Sequence, residues 1–344
     1  MMSEMTATTA HHSICICIAA YNAESTIARA VTSALQQPEA SEVIVIDDAS
    51  ADATAAIARQ CDDGSGRLSI IAQEKNGGPS VARNSALSKS RASIFCVLDS
   101  DDYLLPGRIG RLLAASDDDW DFLADDILIV PEGAAFELDT RLLNHSPAPL
   151  VELDAATFVL ANVSAAGKPR AELGFLKPLI RRRFLDAHGI TYEAQMRLGE
   201  DYALYVRALM AGARFKVTGF CGYVALERAG SLSSTHRASD LAAISAFDAA
   251  CFGTPGLNER TRRALAVHRR ATRNKWALAR ALEIRREQGV GSALRFLAEQ
   301  PRSAGYVASE ILHARLKRLR PLPPGEDTEP KPRWLIGPRS IQPR

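Results

Sequence analysis

The feature that most constrains this chain is an alternation of apolar runs and helical periods in roughly its first hundred residues. Ser13-Ile-Cys-Ile-Cys-Ile-Ala-Ala20 is a short β-branched run that suits a strand buried on both faces. From Glu24 to Gln37, Ile27, Val31, Ala34 and Leu35 recur at helical spacing, and Pro38 ends the segment. The cycle repeats with a strand over Glu42–Asp47 and a helix over Ala53–Gln60. It repeats again with a strand over Leu68–Ile71 and a helix over Ser80–Ser90, entered through Gly77-Gly78-Pro79. A fourth strand, Ile94–Leu98, runs into Asp99-Ser-Asp-Asp102. Strands and helices alternating at this spacing predict an α/β fold on a mostly parallel sheet flanked by helices.

Ligands of such sheets bind beyond the carboxyl ends of the strands. Three of those ends here are polar: Tyr21-Asn22, Asp47-Asp48 and Asp99 to Asp102. Crowded carboxylates repel one another and persist most readily around a divalent cation, so Mg²⁺ or Mn²⁺ is the expected cofactor. An ion held by one or two carboxylates keeps positions open for diphosphate oxygens. The plainer alternative is a solvated acidic loop. Asp48 could accept hydrogen bonds from a nucleobase or ribose; equally, Asp48 or Asp52 could cap the following helix. Far downstream, Glu200-Asp201 open a helix, where its dipole favours acidic side chains.

Five motifs in order give these residues a family. They are Ile18-Ala-Ala-Tyr-Asn22, Val43-Ile-Val-Ile-Asp-Asp-Ala-Ser-Ala-Asp52, Asn76-Gly-Gly-Pro-Ser-Val-Ala-Arg-Asn84, Leu98-Asp-Ser-Asp-Asp102 and Gly199-Glu-Asp201. From about Ser13 to Arg237 the chain resembles the family 2 glycosyltransferases of the GT-A fold. Gly174-Phe-Leu-Lys-Pro-Leu-Ile-Arg-Arg182, Leu198–Tyr202 and Ser231–Arg237 make it most similar to bacterial glucosyltransferases of succinoglycan-type exopolysaccharide synthesis. Two departures stand out: Ala19, where the family usually has proline, and Ala49-Ser50-Ala51, where Gly-Ser-Thr is common.

The resemblance implies a UDP-sugar donor, with UDP-glucose foremost, and a lipid-linked oligosaccharide acceptor. It implies that Tyr21 lies against the uracil, with Asn22 and Glu24 beside it, and that Asp48 accepts from the uracil N3–H. Arg83 would meet donor phosphate or the aspartates, and Asp101 would bind ribose or the donor sugar. Asp102 would hold the metal, Asp201 would be the general base, and Glu200 would position the acceptor. Lewis-acid help to the departing diphosphate and deprotonation of the attacking hydroxyl then give one inverting displacement.

Rival chemistries fit less well. A nicotinamide-dependent dehydrogenase needs Gly-x-Gly-x-x-Gly after the first strand, and Ala19 to Glu24 contains no glycine. A haloacid-dehalogenase-like phosphotransferase would use Asp99 and Asp101 as nucleophile and acid, but its motif usually follows the first strand. A non-catalytic sugar-nucleotide-binding protein is the third reading.

Other side chains have ordinary uses. His188 and His236 suit surface or hydrogen-bonding roles, and Tyr202, Tyr205 and Leu209 at helical spacing suit a core. Lys177 and Arg181 to Arg183 are either a solvated basic turn or contacts to phosphate or acceptor. The six cysteines form no Cys-x-x-Cys pair and suit buried, reduced thiols of a cytosolic protein.

The expected organisation is a flexible N-terminus (1–12), a catalytic domain (13–258), a basic helical extension (259–320) and an extended tail (321–344). Beyond residue 110 the pattern is irregular, with a strand near Phe122–Val130, a helix over Leu153–Ala161 and a loop over Asn162–Phe175. Residues 1–258 carry 22 basic against 32 acidic side chains, a balance of −10; residues 259–344 carry 20 against 8, a balance of +12. No apolar run has the roughly 18 residues that a membrane span needs, and no signal peptide is visible. Basic helices with apolar residues between the charges can lie on an anionic membrane surface or pack on the acidic domain. A lipid-linked acceptor favours a peripheral place at the cytoplasmic face of the inner membrane. Nucleic acid is not expected, because the acidic domain would repel it.

Overall fold

The computed structural model describes residues 12–132, 150–163, 172–227, 236–319 and 331–336. The alternating segments become β1 (Ile14–Ala20), α1 (Ile27–Leu35), β2 (Ala40–Asp47), α2 (Thr54–Gln60), β3 (Leu68–Ala72), α3 (Pro79–Lys89) and β4 (Ile94–Asp99). They form a parallel half-sheet in the order β3-β2-β1-β4. Its register pairs Ala20 with Asp47 and Ala19 with Asp99. Three polar strand ends therefore lie side by side along one edge. Gly78, at φ 84°, takes a conformation that costs glycine little, and Pro79 starts α3 with its fixed φ.

The chain continues through β5 (Tyr103–Leu104), α4 (Arg108–Ala114), β6 (Phe122–Pro131), β7 (Val151–Leu153) and α5 (Ala155–Ala161). A 3₁₀ turn (Leu173–Phe175) leads to β8 (Leu179–Arg181), α6 (Arg182–His188), α7 (Glu200–Met210) and β9 (Phe215–Glu227). These strands extend the sheet as β4-β8-β6-β9-β5, with β7 on β9. Here β8 runs antiparallel to both β4 and β6, so only the first half is uniformly parallel.

Aromatic packing fixes α7. Tyr202, Tyr205 and Leu209 are buried as their spacing predicts. Phe122 stacks on Phe215 at 5.4 Å, and Tyr205 meets Phe215 edge-on at 5.5 Å. Such pairs contribute about 0.5–1.5 kcal/mol each beyond area burial. The first turn of α7, with Glu200 and Asp201, is thus carried on a rigid element.

Four helices complete the chain: α8 (Ala238–Cys251), α9 (Glu259–Gln288), α10 (Val290–Ala298) and α11 (Pro301–Leu319). Asn258 caps α9 by accepting from the Thr261 N–H at 2.8 Å. This helix packs along α5 and α8, while α10 and α11 lie on α9. Arg260 reaches Asp154 at 2.9 Å, so opposite charges meet across that contact.

The tail differs from expectation where it is described. Arg333–Trp334 forms β10, antiparallel to β6 at Ile129 and Leu128. Trp334 packs against a small apolar cluster built on Leu105, Leu128, Val130, Cys221 and Val224, and Leu335 is buried. Apolar side chains inside a Pro-rich segment supply the contact that holds it. The N-terminal segment up to His11, the rest of the tail and Ser231–Thr235 lie outside the described residues. All six cysteines are unpaired.

Candidate active site

Arg83 on α3 is the hub. Its Nη1 donates to Glu200 Oε1 at 2.5 Å and to Asp201 Oδ1 at 2.9 Å, and its Nη2 donates to Asp99 Oδ1 at 2.8 Å. Lys177, just before β8, donates through Nζ to Asp201 Oδ2 at 2.7 Å and lies 2.9 Å from Asp99 Oδ2. Two buried cations therefore face three carboxylates, one at the end of β4 and two in the first turn of α7. Burial alone would raise the Asp99 carboxyl, but Lys177 and Arg83 outweigh it and hold the group at about 2. Burial, reinforced by Asp201 and opposed by Arg83, pushes Glu200 above the ordinary carboxylate range. Lys177 is held above its usual value: burial pulls it down, and Asp201 and Asp99 pull it up further.

The turn after β4 divides its aspartates. Asp102 is buried, and both of its oxygens accept from the protein: Oδ2 from the Tyr223 hydroxyl at 2.8 Å, Oδ1 from the Leu226 N–H at 2.9 Å. The same tyrosine accepts from the Asp99 N–H at 3.1 Å, so β9 clamps the turn. Burial, with Asp99 and Asp101 nearby, drives the Asp102 carboxyl upward, and its two donors oppose that. Each Asp102 oxygen accepts one hydrogen bond from β9 and keeps a second lone pair. Asp101 is partly exposed, and its carbonyl accepts from Arg29 Nη2 at 2.8 Å. Among the described residues no three His, Cys, Asp or Glu side chains group closely enough to enclose a metal ion. The turn does fit an ion held by a single carboxylate and otherwise by a diphosphate, as Mg²⁺ commonly is.

Tyr21, Asn22, Glu24 and Asp48 sit at the ends of β1 and β2. Tyr21 is half exposed, and its ring is open for stacking. Asn22 and Glu24 tie two loops together: Asn22 Oδ1 accepts from the Ala51 N–H at 2.9 Å, and Glu24 Oε2 from the Ala53 N–H at 3.1 Å. Asp48 is buried and holds the glycine turn, its oxygens accepting from the Gly77 and Gly78 N–H groups at 2.7 Å each. The helix-capping alternative belongs to Asp52, which accepts from the Thr54 N–H at 3.0 Å. The structure thus groups Arg83, Asp99, Lys177, Glu200 and Asp201, and gives Asn22, Glu24, Asp48 and Asp102 contacts within the protein.

Several of these partners were open or silent in the sequence. Lys177 is not on a solvated turn; it is buried in the cluster. Arg182 instead caps main chain, donating to Ser90 O at 2.6 Å and Leu87 O at 2.7 Å. Behind Asp201, the Tyr202 hydroxyl donates to Asp248 Oδ1 at 2.9 Å. Nδ1 of His268 on α9 lies 2.7 Å from Asp248 Oδ2 and 3.0 Å from the Tyr202 hydroxyl. No motif announces Tyr223 or His268, since each acts on a residue distant in sequence.

Comparisons with known proteins agree on the class. Residues 15–144 match the model of Glycosyl transferase family 2. Over 308 residues the chain is 44% identical to the succinoglycan biosynthesis protein ExoU of Rhizobium meliloti, covering 90% of this chain and 89% of that protein. S. aureus TarS 1-349 in complex with UDP-GlcNAc superposes with a TM-score of 0.59 at 21% identity, covering 83% of this chain and 80% of that one. A mannosyltransferase from Pyrobaculum calidifontis, in complex with GDP-Man and Mn²⁺, gives 0.51 at 15% identity, covering 88% and 81%. The last two likenesses establish the architecture, which is that of the GT-A fold.

Proposed function

Because the chain belongs to glycosyl transferase family 2, we propose that it moves one sugar from a UDP-sugar, foremost UDP-glucose, onto a lipid-linked oligosaccharide with inversion. Its kinship with a succinoglycan biosynthesis protein supports reading the transfer as a step of exopolysaccharide assembly. The observation that carries the reading is the cluster of Arg83, Lys177, Asp99, Glu200 and Asp201 at the aligned strand ends.

Tyr21 offers its ring to the uracil, and Asn22 and Glu24 hold the loop that carries it. Asp48 acts on the base through the glycine turn it fixes, and its remaining lone pairs can take the N3–H. At the Asp99–Asp102 turn, Asp102 would hold the Mg²⁺ or Mn²⁺ that accompanies the diphosphate, and Asp101 would bind ribose or the donor sugar. Bound there, the cation supplies Lewis-acid stabilisation of the departing diphosphate. Asp201 is the general base. Each of its oxygens accepts from one cation and keeps a second lone pair that an acceptor hydroxyl can use. Glu200 orients the acceptor. A second reading exchanges the last two roles, because Glu200 has one cationic partner where Asp201 has two.

The test is saturation binding of UDP-glucose, UDP-galactose and GDP-mannose with and without Mn²⁺, followed by turnover. The expected result is preferential, Mn²⁺-dependent binding of UDP-glucose and its turnover. Preference for GDP-mannose, or undiminished turnover in EDTA, contradicts the reading.

No described helix is long and apolar enough to cross a membrane. An acceptor carried on lipid would be met by a catalytic domain (13–258) held at the cytoplasmic face of the inner membrane through its basic extension (259–320).

A further inference from the structure

Eight large apolar side chains are exposed among the described residues, and five of them are on the last two helices: Val290, Leu294, Ile311, Leu312 and Leu316. On α10, Phe296 meets Trp276 of α9 edge-on at 5.6 Å, and Ala293 is buried. Val290 and Leu294, one turn apart, stand 61% and 62% exposed on another face. On α11, Ser303 and Val307 are buried, whereas every residue from Ile311 to Leu316 is exposed. The end of α11 therefore leaves the bundle and carries three large apolar side chains into solvent. Large apolar side chains left exposed together on two successive helices point to an interaction site.

The charge around it narrows the partner. Arg285, Arg286, Arg295, Arg302 and Arg315 are exposed on or beside these helices, against exposed Glu287 and Glu299 and half-buried Glu310. Lys317 and Arg318 follow in sequence. A second copy of the chain docking here would bring two arginine-rich faces together, which costs energy. An anionic lipid surface accepts both components, apolar side chains below the headgroups and guanidinium groups among them.

We propose that the α10–α11 hairpin is the membrane-contacting surface of this protein, and that it binds anionic lipid bilayers. The inference narrows the membrane reading above to one face. It does not rest on α9, whose Leu265 and His268 are turned into the catalytic domain. Removing residues beyond Thr254 would uncover that buried face of the catalytic domain, so point substitutions are the cleaner probe.

The experiment is flotation of the full chain with phosphatidylcholine vesicles, with and without phosphatidylglycerol, at low and high salt. Three proteins are compared: wild type, a Leu294→Asp/Leu312→Asp/Leu316→Asp variant, and an Arg295→Glu/Arg302→Glu/Arg315→Glu variant. All three substituted leucines are exposed, so folding should survive; circular dichroism checks this. Wild type should float with phosphatidylglycerol vesicles at low salt and less at high salt, and each variant should bind about tenfold or more weakly. Transfer to a short-chain soluble acceptor should be unchanged in both variants, which separates loss of the surface from failure of the transferase reading. The proposal is overturned if wild type does not float or the leucine variant floats equally well. It is also overturned if that variant instead turns a wild-type dimer into monomers in sedimentation.

Discussion

Arg83 and Arg108 are both buried arginines paired with carboxylates, yet they sit in opposite kinds of site. Arg108 is wholly buried against a wholly buried Asp125, through Nη2–Oδ1 at 2.6 Å and Nε–Oδ1 at 3.1 Å. Its Nη2 also donates to Lys177 O at 2.5 Å, and Asp125 Oδ2 accepts from the Gly222 N–H at 2.6 Å. A side chain at Gly222 would collide with Arg108, so glycine is what lets β9 close over the pair. Charge and hydrogen bonds are closed within the core. Around Arg83 they are not: three carboxylates face two cations, and Asp99 is still one-third exposed. A balanced, sealed pair fixes a structure, whereas a charge-rich cluster open at the strand ends is available for chemistry. Lys177 joins the two, its carbonyl on Arg108 and its ammonium on Asp201.

That contrast can be broken at its structural end first. Arg108→Ala leaves Asp125 buried without its counter-ion, and such losses cost about 3–5 kcal/mol. Arg83→Ala strips Glu200 of its cationic partner but should cost less, because Asp99 can reach water and Asp201 keeps Lys177. Urea unfolding of the two variants decides the matter, and equal losses would erase the distinction. Next in size is the network behind Asp201. His268→Ala removes a partner from buried Asp248 and Tyr202, a loss of about 1–3 kcal/mol in thermal unfolding. It should also lower the maximal transfer rate more than donor affinity, since α7 carries Asp201, the proposed base. The smallest expected effect is that of Tyr202→Phe, about 0.5–1.5 kcal/mol for one hydrogen bond, with the ring packing kept.

Legibility in the sequence follows the range of the interactions. β1 to β4 are readable because an apolar run between turns is a local signal, and the resulting register aligns Tyr21, Asp48 and Asp99 without further information. Tyr202 and Tyr205 are readable from helical spacing. The hydrogen bonds of Asp102 resist such reading because Tyr223, which donates to it, lies 121 positions away. The glycine turn that takes both oxygens of Asp48 is nearer, 29 and 30 residues on, yet nothing local points to it. Arg108 and Asp125 lie in segments that carry no motif. In the C-terminal helices the apolar residues interleave with arginine throughout, and only packing separates buried Leu265 from exposed Leu312 and Leu316.

The central claim is that Asp201 acts on the acceptor hydroxyl, so the most direct measurement follows donor affinity and maximal transfer rate in Asp201→Asn and Glu200→Gln side by side. The account predicts that Asp201→Asn keeps UDP-sugar affinity and the fold while losing at least ~100-fold in transfer, the scale of a general base. It predicts that Glu200→Gln loses less and shows its effect mainly in acceptor KM. If Glu200→Gln instead abolishes transfer, while Asp201→Asn loses donor affinity and keeps its maximal rate, Asp201 is a donor ligand and the assignment is wrong.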